Sequence, residues 1–112
     1  LRVMADTALF SDYLDKLVYL DGFCKQRNIH LLIVPYPEMD KFSMAVSAGY
    51  INKYLCGLMR ARNLDCLDIY PALKKAELPS YTVNRYDNHI NEAASRVVAA
   101  EIAKYCKPYF DN

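Results

Sequence analysis

The chain has 112 residues, enough for one small domain. With 54% hydrophobic and 24% charged residues, 3 Gly and 5 Pro, it reads as a globular domain, which excludes disordered, collagenous and low-complexity classes. Fourteen basic against thirteen acidic residues leave a formal charge of +1 with no like-charged block, so the sequence offers no basic face for nucleic acid.

Residues 7–28 form the first predicted helix. Phe10, Tyr13, Leu14, Leu17, Val18, Leu20 and Cys24 recur at three- and four-residue intervals. Asp6 or Thr7 can cap its start, and Asn28 suits a left-handed stop. The run from His30 to Pro37 is continuously apolar at its centre, the pattern of a strand buried on both faces in a parallel sheet, and Pro35 and Pro37 end it. A second helix is predicted over 43–62, with Val46, Tyr50, Ile51, Tyr54, Leu55, Leu58 and Met59 on its apolar side and Asn63 as its stop. Residues 64–70 read as a short strand closed by Pro71, which completes a strand–helix–strand unit with an expected right-handed crossover. A short helix over 71–77, an irregular stretch over 78–90 and a last helix over 91–107 follow. Arg2–Met4 or Tyr81–Asn84 could add a further short strand. Two parallel strands do not make a well-covered sheet alone, so the chain reads as part of a larger α/β layer or as a domain that leans on a partner.

The longest uncharged apolar stretch, Leu31 to Pro37, is far too short to cross a bilayer, and the first six residues contain no apolar signal core. Cys24, Cys56, Cys66 and Cys106 are widely spaced and form no metal-type cluster with His30 and His89, so buried, reduced thiols are expected and neither a metal nor a cofactor is.

In α/β folds, sites form beyond the carboxyl ends of the strands, which here means Pro35–Asp40, Tyr70 onward and the loop 78–90. That loop holds Asp87 and His89, two apart at the mouth of the last helix. A carboxylate beside a histidine orients the imidazole and stabilises its charged form, as a general base toward a nucleophile requires. By spacing alone, an exposed loop histidine with Asp87 or Asn88 capping a turn is the simpler reading. Ser43 and Ser47 lack the flanking glycines of a nucleophile elbow and read as capping or helix-surface residues. Glu38 and Asp40 could pair in a cleft but read as solvated loop charges. Asp68 could enter a buried hydrogen bond, and His30 reads as structural. Tyr36, Tyr70, Tyr81 and Tyr86 fall near the predicted site edge, where packing is a commoner role than stacking on a sugar.

The segment from Asp87 to Ala103 resembles the last conserved block of the SGNH (GDSL-type) hydrolases, in which Asp, His and Asn precede an amphipathic helix that ends the domain. Asp87, His89 and Asn91 match that block, while Ala94 stands where the family has glycine. The upstream order of helix, proline-ended strand, helix and strand is also similar to the family's second half. The resemblance implies a three-layer α/β/α fold with a parallel sheet, of which residues 1–112 would be the C-terminal part. It implies a serine hydrolase acting on carboxylic esters, acylated carbohydrates and lipid esters among them. His89 would be the base, Asp87 its orienting carboxylate and Asn91 a structural residue at the helix entry. The family's Gly-Asp-Ser block and its glycine and asparagine oxyanion donors have no counterpart here, so a missing N-terminal half or a partner chain would supply them, and the isolated chain should be inactive. The rival expectation is a non-catalytic α/β interaction or ligand-binding module. A flavodoxin- or receiver-like fragment would require an acidic cluster or phosphate loop at the first strand, where proline and tyrosine stand instead.

Overall fold

In a computed structural model, residues 7–110 of the chain are described. Asp6 and the expected strand at Arg2–Met4 lie outside them. The protein is mixed α/β, with one parallel and one antiparallel strand pair among five helices of the described residues.

Helix α1 spans Thr7–Lys25. Its end follows from Asn28, which takes φ 55° while Ile29 N–H reaches back to the Cys24 carbonyl at 2.9 Å and Asn28 N–H to that of Lys25 at 3.2 Å. This Schellman closure needs a left-handed residue, and asparagine tolerates that conformation better than most side chains. The same device ends the helix at Ala61. Asn63 has φ 61°, and Leu64 N–H donates to the Met59 carbonyl at 3.1 Å.

The expected strand over 30–37 shrinks to β1, Leu32–Ile33, and that over 64–70 to β2, Asp65–Cys66. The two pair in parallel, Leu32 opposite Asp65 and Ile33 opposite Cys66, and Leu67 N–H extends the ladder to the Ile33 carbonyl at 2.9 Å. The ladder is short because Pro35 and Pro37 lack donors and Tyr70 turns into helix α4 (Tyr70–Lys75) with Pro71 in its first turn. Side chains alternate across this pair. Ile33 and Cys66 join one core cluster with Leu14 of α1 and Cys56 and Met59 of the following helix. Leu32, Val34 and Leu67 join a second cluster with Met39, Ile69, Leu73, Ala94 and Val98. Both faces of the strand pair are therefore apolar, as the uninterrupted run predicts.

The single helix expected over 43–62 is two: α2, Lys41–Val46, and α3, Ala48–Ala61. Asp40 starts α2 early by accepting the Ser43 N–H at 3.1 Å, and Ser47 breaks the path with φ −147°. The expected apolar side is also rotated. Ala48, Asn52, Cys56 and Met59 are buried, whereas Val46, Tyr50 and Tyr54 are exposed, the two tyrosine rings stacking 6.4 Å apart. Two contacts fix that rotation. Asn52 donates to the Asp68 carboxylate at 2.7 Å from a buried position, and Gly49 lies so close to Tyr70 that a Cβ there would sit 2.6 Å from its ring.

Helix α4 ends at Lys75, short of the expected 77, where Glu77 takes φ 49°. The stretch 78–90 is not irregular. It contains an antiparallel hairpin, β3 (Thr82–Asn84) and β4 (Asp87–Ile90), in which the suspected strand at Tyr81–Asn84 appears one residue shorter. Its turn has no glycine. The Asn84 side chain organises it, accepting N–H bonds from Tyr86 at 2.8 Å and Asp87 at 3.0 Å. Helix α5 runs Glu92–Phe110, three residues beyond the expected end.

Candidate active site

Strand β4 presents Asp87 and His89 on one side, because alternate residues of a strand share a face. The Asp87 Oδ1 lies 2.6 Å from His89 Nδ1 and also accepts the His89 backbone N–H at 3.0 Å. One carboxylate oxygen thus fixes both the backbone and the ring of the same residue. The backbone bond, seconded by the ring, holds the Asp87 carboxyl below its ordinary pKa. An ionised Asp87 at Nδ1 selects the tautomer with the proton on that nitrogen and leaves Nε2 as the acceptor. The His89 side chain is 91% exposed, so Nε2 is reachable from solvent.

Asn91 locks this strand to the rest of the fold. Its amide donates to the Ser80 carbonyl at 2.8 Å and that of Thr82 at 3.3 Å, while its Oδ1 accepts the Ala94 N–H at 2.9 Å and so caps α5. Its backbone N–H reaches the Tyr81 carbonyl at 2.9 Å. Ala94 is fully buried in the core, where a side chain larger than a methyl would meet its neighbours.

The other candidates separate into distinct places. Ser43 is buried and donates its hydroxyl to Glu38 at 3.1 Å, and with Ser47 it lines a cleft of about 220 Å³ that contains neither Asp87 nor His89. Ser43 receives the cap from Asp40, and Ser47 precedes α3 without a side-chain cap bond. Glu38 and Asp40 both engage Ser43, Glu38 through its hydroxyl and Asp40 through its backbone N–H, so they serve the start of α2 rather than standing as solvated loop charges. Its contacts with Ser43 keep the Asp40 carboxyl below its usual range. Asp68 bonds Asn52 and the Tyr70 N–H, so it serves the helix entry. Of the four tyrosines, Tyr81 is buried with its hydroxyl donating to the Leu73 carbonyl at 2.8 Å, and Tyr70 packs against the core. Tyr36 and Tyr86 are exposed.

A second His–Asp pair escaped the sequence. His30 Nε2 lies 2.7 Å from Asp65 Oδ2, the Tyr109 ring stacks on the imidazole at 4.1 Å, and the Tyr105 hydroxyl donates to the same carboxylate. Burial pushes the Asp65 pKa up, but the Tyr105 and His30 contacts outweigh it and the net shift is downward. Tyr105, donating to that carboxylate, is raised to about 12. His30 precedes β1, Asp65 lies in β2 and the tyrosines in α5, segments at least thirty-five positions apart, and no local pattern announces the pair. All four cysteines carry free thiols, with Cys24, Cys56 and Cys66 buried and Cys106 partly so. Burial, with Cys56 as neighbour, pushes the Cys66 thiol up. No group of three or more His, Cys, Asp or Glu side chains able to hold a metal ion occurs among the described residues. No helix among them is long and apolar enough to cross a membrane.

No protein-family model, curated protein or solved structure matches this chain.

Proposed function

We propose that the chain is the C-terminal part of an SGNH-type serine hydrolase that cleaves carboxylic esters, and that it contributes the base side of the triad. The observation that carries this reading is the 2.6 Å contact of Asp87 with His89 Nδ1 on a strand that Asn91 ties directly to the last helix. Helices on both faces of the parallel pair agree with a three-layer α/β/α domain. The edges of that pair carry no further strand among the described residues and, with the exposed Tyr13, Leu20 and Phe23 of α1, leave surface for further strands of the same domain.

In this mechanism His89 Nε2 takes the proton of a serine hydroxyl contributed by residues outside this chain. The serine oxygen attacks the ester carbonyl, and the imidazolium, stabilised by ionised Asp87, returns the proton to the departing alkoxide. Water then attacks the acyl-serine, His89 taking its proton and returning it to the serine oxygen as the acyl–oxygen bond breaks and the carboxylic acid leaves. Oxyanion donors also come from outside these 112 residues.

The test is hydrolysis of p-nitrophenyl acetate by the protein that carries this chain together with its nucleophile. His89→Ala should lower kcat about 10⁶-fold and Asp87→Asn about 10⁴-fold. Both side chains are partly or largely exposed and outside the core clusters, so melting temperatures should stay close to wild type. Wild-type rates in both variants would remove the reading and favour a non-catalytic binding module.

A further inference from the structure

A cavity of about 660 Å³ opens between α2, the segment that links α4 to the hairpin, and the hairpin itself. That volume lies within the range of small-molecule pockets. Asp87 and His89 do not line it, although Asn88 between them does, so it adjoins the dyad's strand without containing the dyad.

Its floor is apolar and structurally fixed. Met39 is 2% exposed and Tyr81 is held by its hydroxyl bonds to Leu73 and Leu78, while Met44 and Leu78 pack against the same core cluster. Two thioethers in such a floor adapt to an unbranched aliphatic group. The rim carries the opposite chemistry. Lys41, Lys74 and Arg85 stand around the opening and Asp40 is the single carboxylate among them. Asp40 is already engaged by Ser43, and neither lysine forms an ion pair among the described residues. Arg85 lies over the Tyr86 ring at 4.6 Å and donates to its hydroxyl, and it forms no ion pair among the described residues.

We infer that this cavity is a binding site for an organic anion with an aliphatic body, its carboxylate held at the rim by Lys41, Lys74 and Arg85 and its chain laid on the Met39–Met44–Tyr81 floor. An apolar floor alone would accept neutral chains equally well, and a cationic rim alone would accept any small anion. Their combination selects molecules that have both parts. This site is independent of ester hydrolysis, so binding alone reads it in the protein that carries this chain.

The experiment is an amide-resolved NMR titration with decanoate below its micellar concentration, with decanol and inorganic phosphate as controls. Decanoate should bind saturably at one site, with shift changes centred on Met44, Leu78, Tyr81 and Asn88. Decanol should bind about fivefold more weakly, phosphate should not saturate, and added salt should weaken decanoate. Lys74→Ala and Arg85→Ala should each weaken decanoate about two- to fivefold, and both positions are exposed, so the folded spectrum of each variant is retained. Equal binding of decanol, equal binding of phosphate, shifts centred on Asp87 and His89, or no decanoate binding would each overturn the proposal.

Discussion

Asn91 uses one side chain to bond two hairpin carbonyls and to cap α5, and it stands two residues from His89. Its removal by Asn91→Ala would leave the Ala94 N–H and the Ser80 carbonyl without their partner. The expected loss is about 1–2 kcal/mol of unfolding free energy, read from the shift in urea midpoint. The contact of Asp87 with His89 was legible in the sequence because it is local, a carboxylate two residues ahead of a ring, whereas Asn91 was singled out only by the family resemblance and its cap on α5 is seen in the fold. The His30–Asp65 pair uses the same chemistry across 35 positions of separation, so only folding reveals it. The cationic rim of the cavity was hidden for the same reason, since Lys41, Lys74 and Arg85 belong to three separate segments.

Among the elements, helix ends were easier to read than strand ends. Asn28 and Asn63 mark stops through a property of the residue itself, a tolerated left-handed backbone, and both adopt it. Strand length depends on partners. The apolar run 30–37 has a strand beside it only at Leu32–Ile33, and composition carries no record of that. The rotation of α3 was missed because Tyr50 and Tyr54 are apolar by count, while the burial of Asn52 depends on Asp68 from another element. The hairpin was only half seen because Asn84, in place of a glycine, makes its turn.

The tie between α5 and β2 belongs to this scale and has a pH signature. The folded Asp65 carboxyl titrates below its unfolded value, so the unfolded chain takes up this proton first as pH falls. The stability it contributes is complete above the ordinary carboxylate range and is lost as pH drops through the folded value. The urea midpoint of the wild type should therefore fall from about pH 6 to about pH 3, and Asp65→Asn should start lower at pH 6 and show a shallower fall. Asp40 and Asp87, also shifted downward, keep part of the slope in that variant. Identical slopes would mean that the tie does not contribute.

At the scale of the whole molecule, the radius of gyration is 15.3 Å, against about 13 Å for a compact domain of this length. The excess accompanies a thin body, 43 × 41 × 19 Å, with a parallel pair that has only two strands among the described residues and an α1 surface rich in exposed apolar side chains. The proposed hydrolase uses that surface for the strands that bring the nucleophile to His89. Ser43 and Ser47 sit in another cleft and no serine of the described residues bonds His89, whose partner is Asp87, so the proposal requires the reactive serine to lie outside these 112 residues. Labelling with a fluorophosphonate, followed by peptide mapping of the protein that carries this chain, tests that requirement most directly. The account predicts one modified serine beyond residues 1–112, with labelling lost in His89→Ala. Modification of any serine within residues 1–112, or labelling that His89→Ala leaves unchanged, would contradict it.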